Sequence, residues 1–512
     1  MKSRITYRSS ALRRGLLGVA IATAGFGVSA CGGNDAVQQQ DAGVPTPDAA
    51  TPDVPGTVNG QLRVLGAGPG NGAIDIYIKG QSTATTSVAY GATGTLATLP
   101  AGDYQFEVRP TGTPSTTSAL YTSAAITVPA NGVATLVASG VLGGGTGTDF
   151  HLIGLVDVTT AVPAGKTRVR FVNTIYSSVS LDVDVGDDGT VEIPALARFA
   201  AIDAPGMDLP AGADLSIGLQ DAAHAKIASF VVPAAMLGDG KQLYLVATGL
   251  SNVRSRDPRG MTLLLLGPPD AGSPQAVRPD PVLYFLETSP DAGSVDGYRG
   301  ADKLFDGVAF GKVAAKSVHA SAVGYTLDIR PAGAAASASL GSFETGPVAL
   351  GQQYLVMLTG LVTPTTPGVD ALALRVYADK MQLAIDQGRM RVVHAGVGVA
   401  MIDAGHFGTN PVAFLPDTDF ASLLPGGASP EAGTTIVSPV NVPLPINPGV
   451  RPTADPTMVR RFADANPLSA VDRVFGVFAG AWSPIGTQVP AKFILVKTAP
   501  VAWTTTILSL HP

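Results

Sequence analysis

The sequence predicts an all-β chain of four tandem immunoglobulin-like antiparallel β-sandwich modules, set behind a signal peptide and a disordered tether. Three observations predict it. Only 14% of the residues are charged while 61 are glycine, a composition of short strands and many turns, not of helices with charged faces. One pattern of apolar strands recurs from Leu62 to the end of the chain, the mark of a repeat architecture. The segment ahead of that pattern has almost no apolar bulk and several prolines, so it cannot bury enough surface to fold.

The expected divisions are a signal peptide over 1–30, a lipidated cysteine and Asp/Ala/Pro tether over 31–60, and sandwich modules over 61–160, 161–270, 280–380 and 388–512. Each module opens with an apolar strand: Leu62 to Leu65, Val169 to Val172, Val282 to Phe285 and Met390 to Val393. A second strand carries an aspartate, in turn Asp75, Asp182, Asp296 and Asp403. A central strand follows at Tyr104 to Arg109, Leu215 to Leu219, Tyr325 to Arg330 and Met458 to Phe462, the last after a proline-rich insert from about Leu423 to Pro456. Closing strands end in Gly140, Gly249, Gly360 and Gly480, and each leads through a loop to a final strand. Period-2 alternation, β-branched residues and turns such as Asn71-Gly72, Asn131-Gly132 and Asp188-Gly189 identify these segments as strands. A continuous apolar run such as Thr262 to Leu266 fits a strand buried between sheets.

Residues 1 to 30 carry Lys2, Arg4, Arg8, Arg13 and Arg14, no acid, and an apolar run from about Leu16 to Val28. That is the layout of an export signal, and the run is shorter than the roughly 20 residues a spanning helix needs. Val28-Ser29-Ala30-Cys31 resembles a bacterial lipoprotein box. The resemblance implies a lipidated Cys31 and a membrane partner reached through its acyl chains, which hold by burying methylenes at about 0.8 kcal/mol each. Gly32, in place of an aspartate, favours the outer membrane of a Gram-negative bacterium. The tether behind it reaches on the order of 80 to 90 Å when extended.

Composition excludes several function classes. A net charge of −6 with no Lys/Arg run argues against nucleic acid as a partner. Cys31 is the only cysteine, so its lipidation leaves no thiol for a disulfide, a nucleophile or a metal site.

Arg391-Val392-Val393-His394-Ala395 with Asp403, Ser289-Pro290-Asp291-Ala292 leading to Asp296, and Lys303 to Gly311 resemble a bacterial family known only as a domain of unknown function. Its tandem modules open with a motif like R-V-V-H-A-S-P-D-A-P followed by V-D. The resemblance covers about 60 to 510 and implies β-sandwiches on cell surfaces, with no assigned activity.

The candidate ligand residues are Asp75, Asp182, Asp296, Asp403 and His394. A carboxylate ending a strand also serves to accept loop N–H groups and fix their shape. Asp182, Asp184, Asp187 and Asp188 lie among Gly186 and Gly189, but the spacing lacks the closing glutamate of a calcium loop. His394, Asp403 and His406 form the one local His/Asp grouping. The sister modules put Gly66, Asn173 and Leu286 where the fourth has His394, so no metal site is shared among them. Gly66 to Ala73 reads as G-x-G-x-x-A, yet a strand pattern follows where a dinucleotide site requires a helix. No G-x-S-x-G, H-E-x-x-H or S-x-x-K context accompanies these residues, and every module varies one scaffold. The expectation is a non-enzymatic surface protein with no catalytic residue, metal or cofactor, contacting polysaccharide or protein. Trp482 and Trp503 are the features that would serve a carbohydrate-binding alternative, by stacking on sugar rings; a cell-envelope hydrolase is the more distant one.

Overall fold

The structure, a computed structural model, describes residues 58–511 apart from 144–149, 177–179, 252, 365–369, 384–387, 408–412, 438–446, 464–467, 470 and 500–501. The signal segment, Cys31 and nearly all of the tether lie outside the described residues. Among those described, the regular elements are β-strands and a few three-residue 3-10 turns such as Ala234–Met236.

Besides the two-stranded pair Gly102–Tyr104 with Ile126–Val128, the described strands build eight sheets of four to six strands, and these face one another in pairs across apolar cores. The first pair gives the plan. Asn59–Gly66 lies between Ala97–Pro100 and Val133–Ser139, with His151–Val156 at the edge. Facing it, Ile74–Ile78 lies between Thr86–Val88 and Phe106–Pro110, with Tyr121–Thr122 outermost. Alternate residues of each strand, Leu62 and Val64 on one side and Ile74 and Ile76 on the other, fill the space between, as the two-residue period of a strand requires.

Pairing between named strands is antiparallel with one recurring departure. Each opening strand runs parallel to its closing strand: Asn59–Gly66 with Val133–Ser139, Lys166–Asn173 with Gln242–Thr248, Val282–Glu287 with Gln353–Thr359, and Gly388–Val397 with Arg473–Ala481. A parallel pair needs a long crossover, and here the chain supplies it by building the facing sheet before it returns.

The central strand of the last sheet pair is Pro448–Pro452, which pairs with Ile402–Phe407. The sequence places this strand at Met458 to Phe462, where the structure instead has the two-residue edge strand Arg460–Arg461. The expected insert is therefore part of the fold: it holds Pro448–Pro452 and also Thr434–Val437, which pairs with Gly388–Val397. Prolines at both ends of the central strand disguise it, although a terminal proline costs a sheet little.

The sheets with parallel pairs are buried on both faces. Leu65, Ala67, Val137 and Leu155 pack against Val172, Tyr244, Val246, Leu264 and Leu266 in one shared core. Likewise Tyr284, Leu286, Leu355 and Met357 pack against Val393, Phe475, Val477, Ile494 and Trp503. Two-sided burial is what parallel pairing ordinarily demands. It also explains why all five residues of Thr262–Leu266 are buried.

Polar stitches cross between the sheet pairs. Arg254, in the loop after Gln242–Thr248, donates to Asp379 at 2.9 Å and to Thr498 Oγ1 at 2.5 Å. Arg256 reaches the same carboxylate at 3.7 Å and donates to the Met381 carbonyl. Residues Thr57–Pro512 form one compact unit.

Candidate functional site

The four strand aspartates occupy one equivalent place, each buried on the sheet that faces the parallel pair. Three of them lie opposite an arginine on the central strand: Asp75 opposite Arg109, Asp296 opposite Arg330 and Asp403 opposite Arg451. In each case a proline follows that arginine, at Pro110, Pro331 and Pro452. This Val/Ile-Arg-Pro signal, readable in the sequence, marks the central strand, including the one that a search for apolar runs misses. Asp182 instead faces Gln220.

The carboxylate oxygens are spent on the protein itself. Asp75 accepts from Ser87 Oγ at 2.5 Å, Thr111 Oγ1 at 2.9 Å and the Gly112 N–H at 3.3 Å. Asp182 accepts from the Ala195 N–H at 2.6 Å and contacts His224 Nδ1 at 2.6 Å. Asp403 accepts from the Ser422 N–H at 3.0 Å, Thr453 Oγ1 at 2.8 Å and Arg451 Nε at 3.1 Å. Burial opposes its ionisation, but these donors outweigh burial and hold the carboxyl below its ordinary range.

Asp296 is the most enclosed. Its oxygens accept from the Gly307 N–H at 2.7 Å, the Gly333 N–H at 3.0 Å and Lys303 Nζ at 2.8 Å. Burial again works against the charge, yet the Lys303 ammonium and the two glycine amides bring the carboxyl down to about 2. A carboxylate so surrounded clamps the end of the neighbouring strand Asp302–Val308 to the loop that follows Thr326–Pro331.

A second polar position sits at the end of the opening strand, two places before the closing-strand glycine in register. His394 pairs there with Phe478, Glu287 with Leu358, Asn173 with Ala247 and Gly66 with Ala138. The counterpart of His394 in the third sheet pair is thus Glu287, not Leu286, because pairing sets the register and apolar spacing alone does not. Three of these side chains accept the N–H two residues on: Asn173 from Ile175 at 3.1 Å, Glu287 from Ser289 at 2.8 Å and His394 Nδ1 from Gly396 at 3.2 Å. Asn173 also donates to the Leu196 carbonyl at 3.0 Å, and His394 Nε2 lies 3.1 Å from the Val399 carbonyl.

Burial lowers the His394 pKa to about 4, so the ring is neutral and the Val399 carbonyl fixes its proton on Nε2. Both ring nitrogens are therefore committed to backbone, while His406 is exposed on its own strand. Glu287 shows the opposite shift, raised to about 9 by burial with Asp291 adding to it against the Ser289 amide. At neutral pH its carboxyl keeps its proton.

The remaining candidates resolve into structure. Asp184 accepts from the N–H groups of Asp188 at 3.1 Å and Gly189 at 2.8 Å, fixing the hairpin, and Asp187 pairs with Lys226 at 2.5 Å. Among the described residues no group of three or more His, Cys, Asp or Glu could hold a metal ion. The glycine-rich turn after Asn59–Gly66 leads into the strand Ile74–Ile78, and Asn71 ties it to Gly140 and Leu142. Trp482 and Trp503 are both core residues. Trp503 stacks on Tyr284 with centroids 4.1 Å apart, and Trp482 carries Arg460 over its ring at 4.2 Å. Neither offers a face to a sugar.

No curated protein matches the chain. Among solved structures, the Bacillus anthracis TIE protein aligns at 10% identity and a TM-score of 0.12, over 59% of this chain and 50% of that one. The chain thus spans about half the length of that structure. Residues 60–184, which take in the first sheet pair and the opening and aspartate strands of the second, match the model of DUF4397, a domain of unknown function.

Proposed function

We propose that the chain is a non-enzymatic, lipid-anchored protein of the bacterial cell envelope, held in the outer membrane through Cys31. There it displays four tandem β-sandwich modules in a structural or adhesive role. The observation that carries this reading is the use made of the recurring polar residues. Asp75, Asp182, Asp296 and Asp403 each hold a neighbouring loop or strand from inside the fold, so what recurs at this position is scaffold. A repeated scaffold suits display, with variable loop tips contacting polysaccharide or protein. The address rests on Val28-Ser29-Ala30-Cys31 and the cationic, apolar segment before it.

Membrane fractionation tests the address. Wild-type chain partitions with membranes, and Cys31→Ser either releases folded protein or leaves it unprocessed. A Cys31→Ser chain that is still processed and still sediments with membranes overturns the anchor. Proteolysis of intact cells tests display: residues 60–512 are cut in whole cells if they face outward. Protection in whole cells that is lost once the outer membrane is permeabilised overturns it.

A further inference from the structure

A cavity of about 510 Å3 opens where the strand Lys226–Val232, the segment around Asp280 and the strand Val313–Ser317 meet. Its size falls within the range of small-molecule sites. Besides Asp187 Oδ1, which Lys226 faces at 2.5 Å, three side chains lining it hold oxygens buried without a hydrogen-bond partner: Asp280 Oδ1, Ser229 Oγ and Ser317 Oγ. Asp280 and Ser229 are only 4% and 3% exposed. Backbone bonds fix the lining, since the Asp280 N–H donates to the Ser229 carbonyl at 2.7 Å and the Val318 N–H to the Pro281 carbonyl at 3.0 Å. The other Asp280 oxygen is taken by His319 Nδ1 at 2.9 Å. Leaving polar atoms unpaired in such a place costs free energy, and a ligand that pairs them recovers it.

The chemistry of the lining selects among ligands. Asp280 Oδ1 accepts only, whereas the two serine hydroxyls both donate and accept. The charges around them are mostly paired already, Lys226 with the lining carboxylate Asp187 at 2.5 Å and Arg299 with Asp302 at 3.0 Å, which leaves Lys316. An ammonium ligand would satisfy Asp280, whose other oxygen already faces His319, but would meet Lys316. An anion would reach only Lys316 and would present lone pairs to the Asp280 and Asp187 carboxylates. A neutral polyol answers both, because each hydroxyl donates and accepts, and Ile227, Leu304 and Val318 supply apolar surface for its C–H faces. We infer that this cavity binds a neutral polyhydroxylated ligand of sugar-ring size, with Asp280, Ser229 and Ser317 as its central hydrogen-bonding partners. The inference does not depend on envelope display, and the fractionation and proteolysis tests leave it untouched.

Titration calorimetry on the full chain tests it with maltose, choline and sulfate as the neutral, cationic and anionic probes. Maltose is expected to bind, with affinity falling about tenfold or more in Asp280→Ala as the central acceptor is lost. Ser317→Ala, at the more accessible edge of the cavity, is expected to weaken binding by a smaller factor while melting like wild type, and it decides the matter should Asp280→Ala fail to fold. Running dextran beside maltose distinguishes a free sugar from the end of a polymer, since a site for chain ends also takes up dextran. Silence toward both carbohydrates, binding of choline or sulfate alone, or maltose affinity unchanged in both variants would overturn the inference.

Discussion

Glu287 and His394 occupy the same register position of their opening strands, yet burial makes them move stability with pH in opposite directions. Glu287 keeps its proton in the fold up to about 9, while an unfolded chain loses it near 4.3. Its contribution is fully present below about 4.3 and is lost as the pH climbs toward 9. Replacing it by glutamine copies the neutral acid, so Glu287→Gln is expected to be more stable than wild type by up to about 5 kcal/mol at pH 8 in urea unfolding, the gap closing near pH 4. His394 is neutral in the fold down to about 4 but charges near 6.5 when unfolded. Stability therefore drops as the pH falls from about 6.5 to about 4, by about 3 kcal/mol. Asn173 makes the same pair of backbone bonds without titrating, so His394→Asn is expected to abolish that slope, whatever it does to absolute stability. At the aspartate position, Asp296→Ala takes the acceptor from the amides of Gly307 and Gly333 and one of two carboxylates from Lys303, which keeps Asp306, and unfolding measurements should register a loss of about 1–3 kcal/mol. The aspartates are legible in the sequence because they recur at one offset from apolar runs. Glu287 is legible by the same measure, nine residues before Asp296 as His394 is before Asp403, but counting from apolar runs misaligns it by one.

Strand Thr262–Leu266 shows what the sequence conveys about an element and where it stops. An unbroken apolar run reads as a buried strand, and it is one. What the run does not say is which surfaces cover it. Leu263 and Leu265 belong to the core between the two sheets of one pair, and Leu264 and Leu266 to the core shared with the preceding pair. The expected outcome is that Leu263→Ala and Leu264→Ala each cost about 2–5 kcal/mol in denaturant unfolding. A sandwich wet on its outer face would lose that much at only one of the two. The opposite failure of reading occurs at Pro448–Pro452, where the strand is real but short of apolar residues. Its placement follows from Val450 in the core and from Arg451 reaching Asp403 at 3.1 Å. Those are pairings with residues far along the chain, and no local periodicity carries them.

At the scale of the whole folded unit, the sequence suggests modules strung one after another, whereas the structure joins neighbours by shared cores and by a buried charge cluster. Asp379 is the hub of that cluster. It receives Arg254 at 2.9 Å and Arg256 at 3.7 Å, and Arg254 continues to Thr498, beside the last parallel pair. Arg473 lies close enough that burial, together with the charges of Arg254 and Arg389, lowers its pKa to about 10 against the pull of Asp379. One carboxylate therefore balances several guanidinium groups drawn from distant parts of the chain. Removing it leaves those cations facing one another out of water, where breaking one side of a buried pair typically costs about 3–5 kcal/mol. Asp379→Ala is thus expected to lower unfolding stability by that amount. Hydrogen exchange should locate the damage: protection should fall together in 250–260, 378–382 and the strand Lys492–Thr498, because all three converge on the hub. If exchange rises only around residue 379, the stitch is local and the sheet pairs are held by their apolar contacts alone. Arg254→Ala provides the matched control. It removes one cation while leaving Asp379 paired with Arg256, so it should loosen Lys492–Thr498 at a smaller cost in stability than Asp379→Ala.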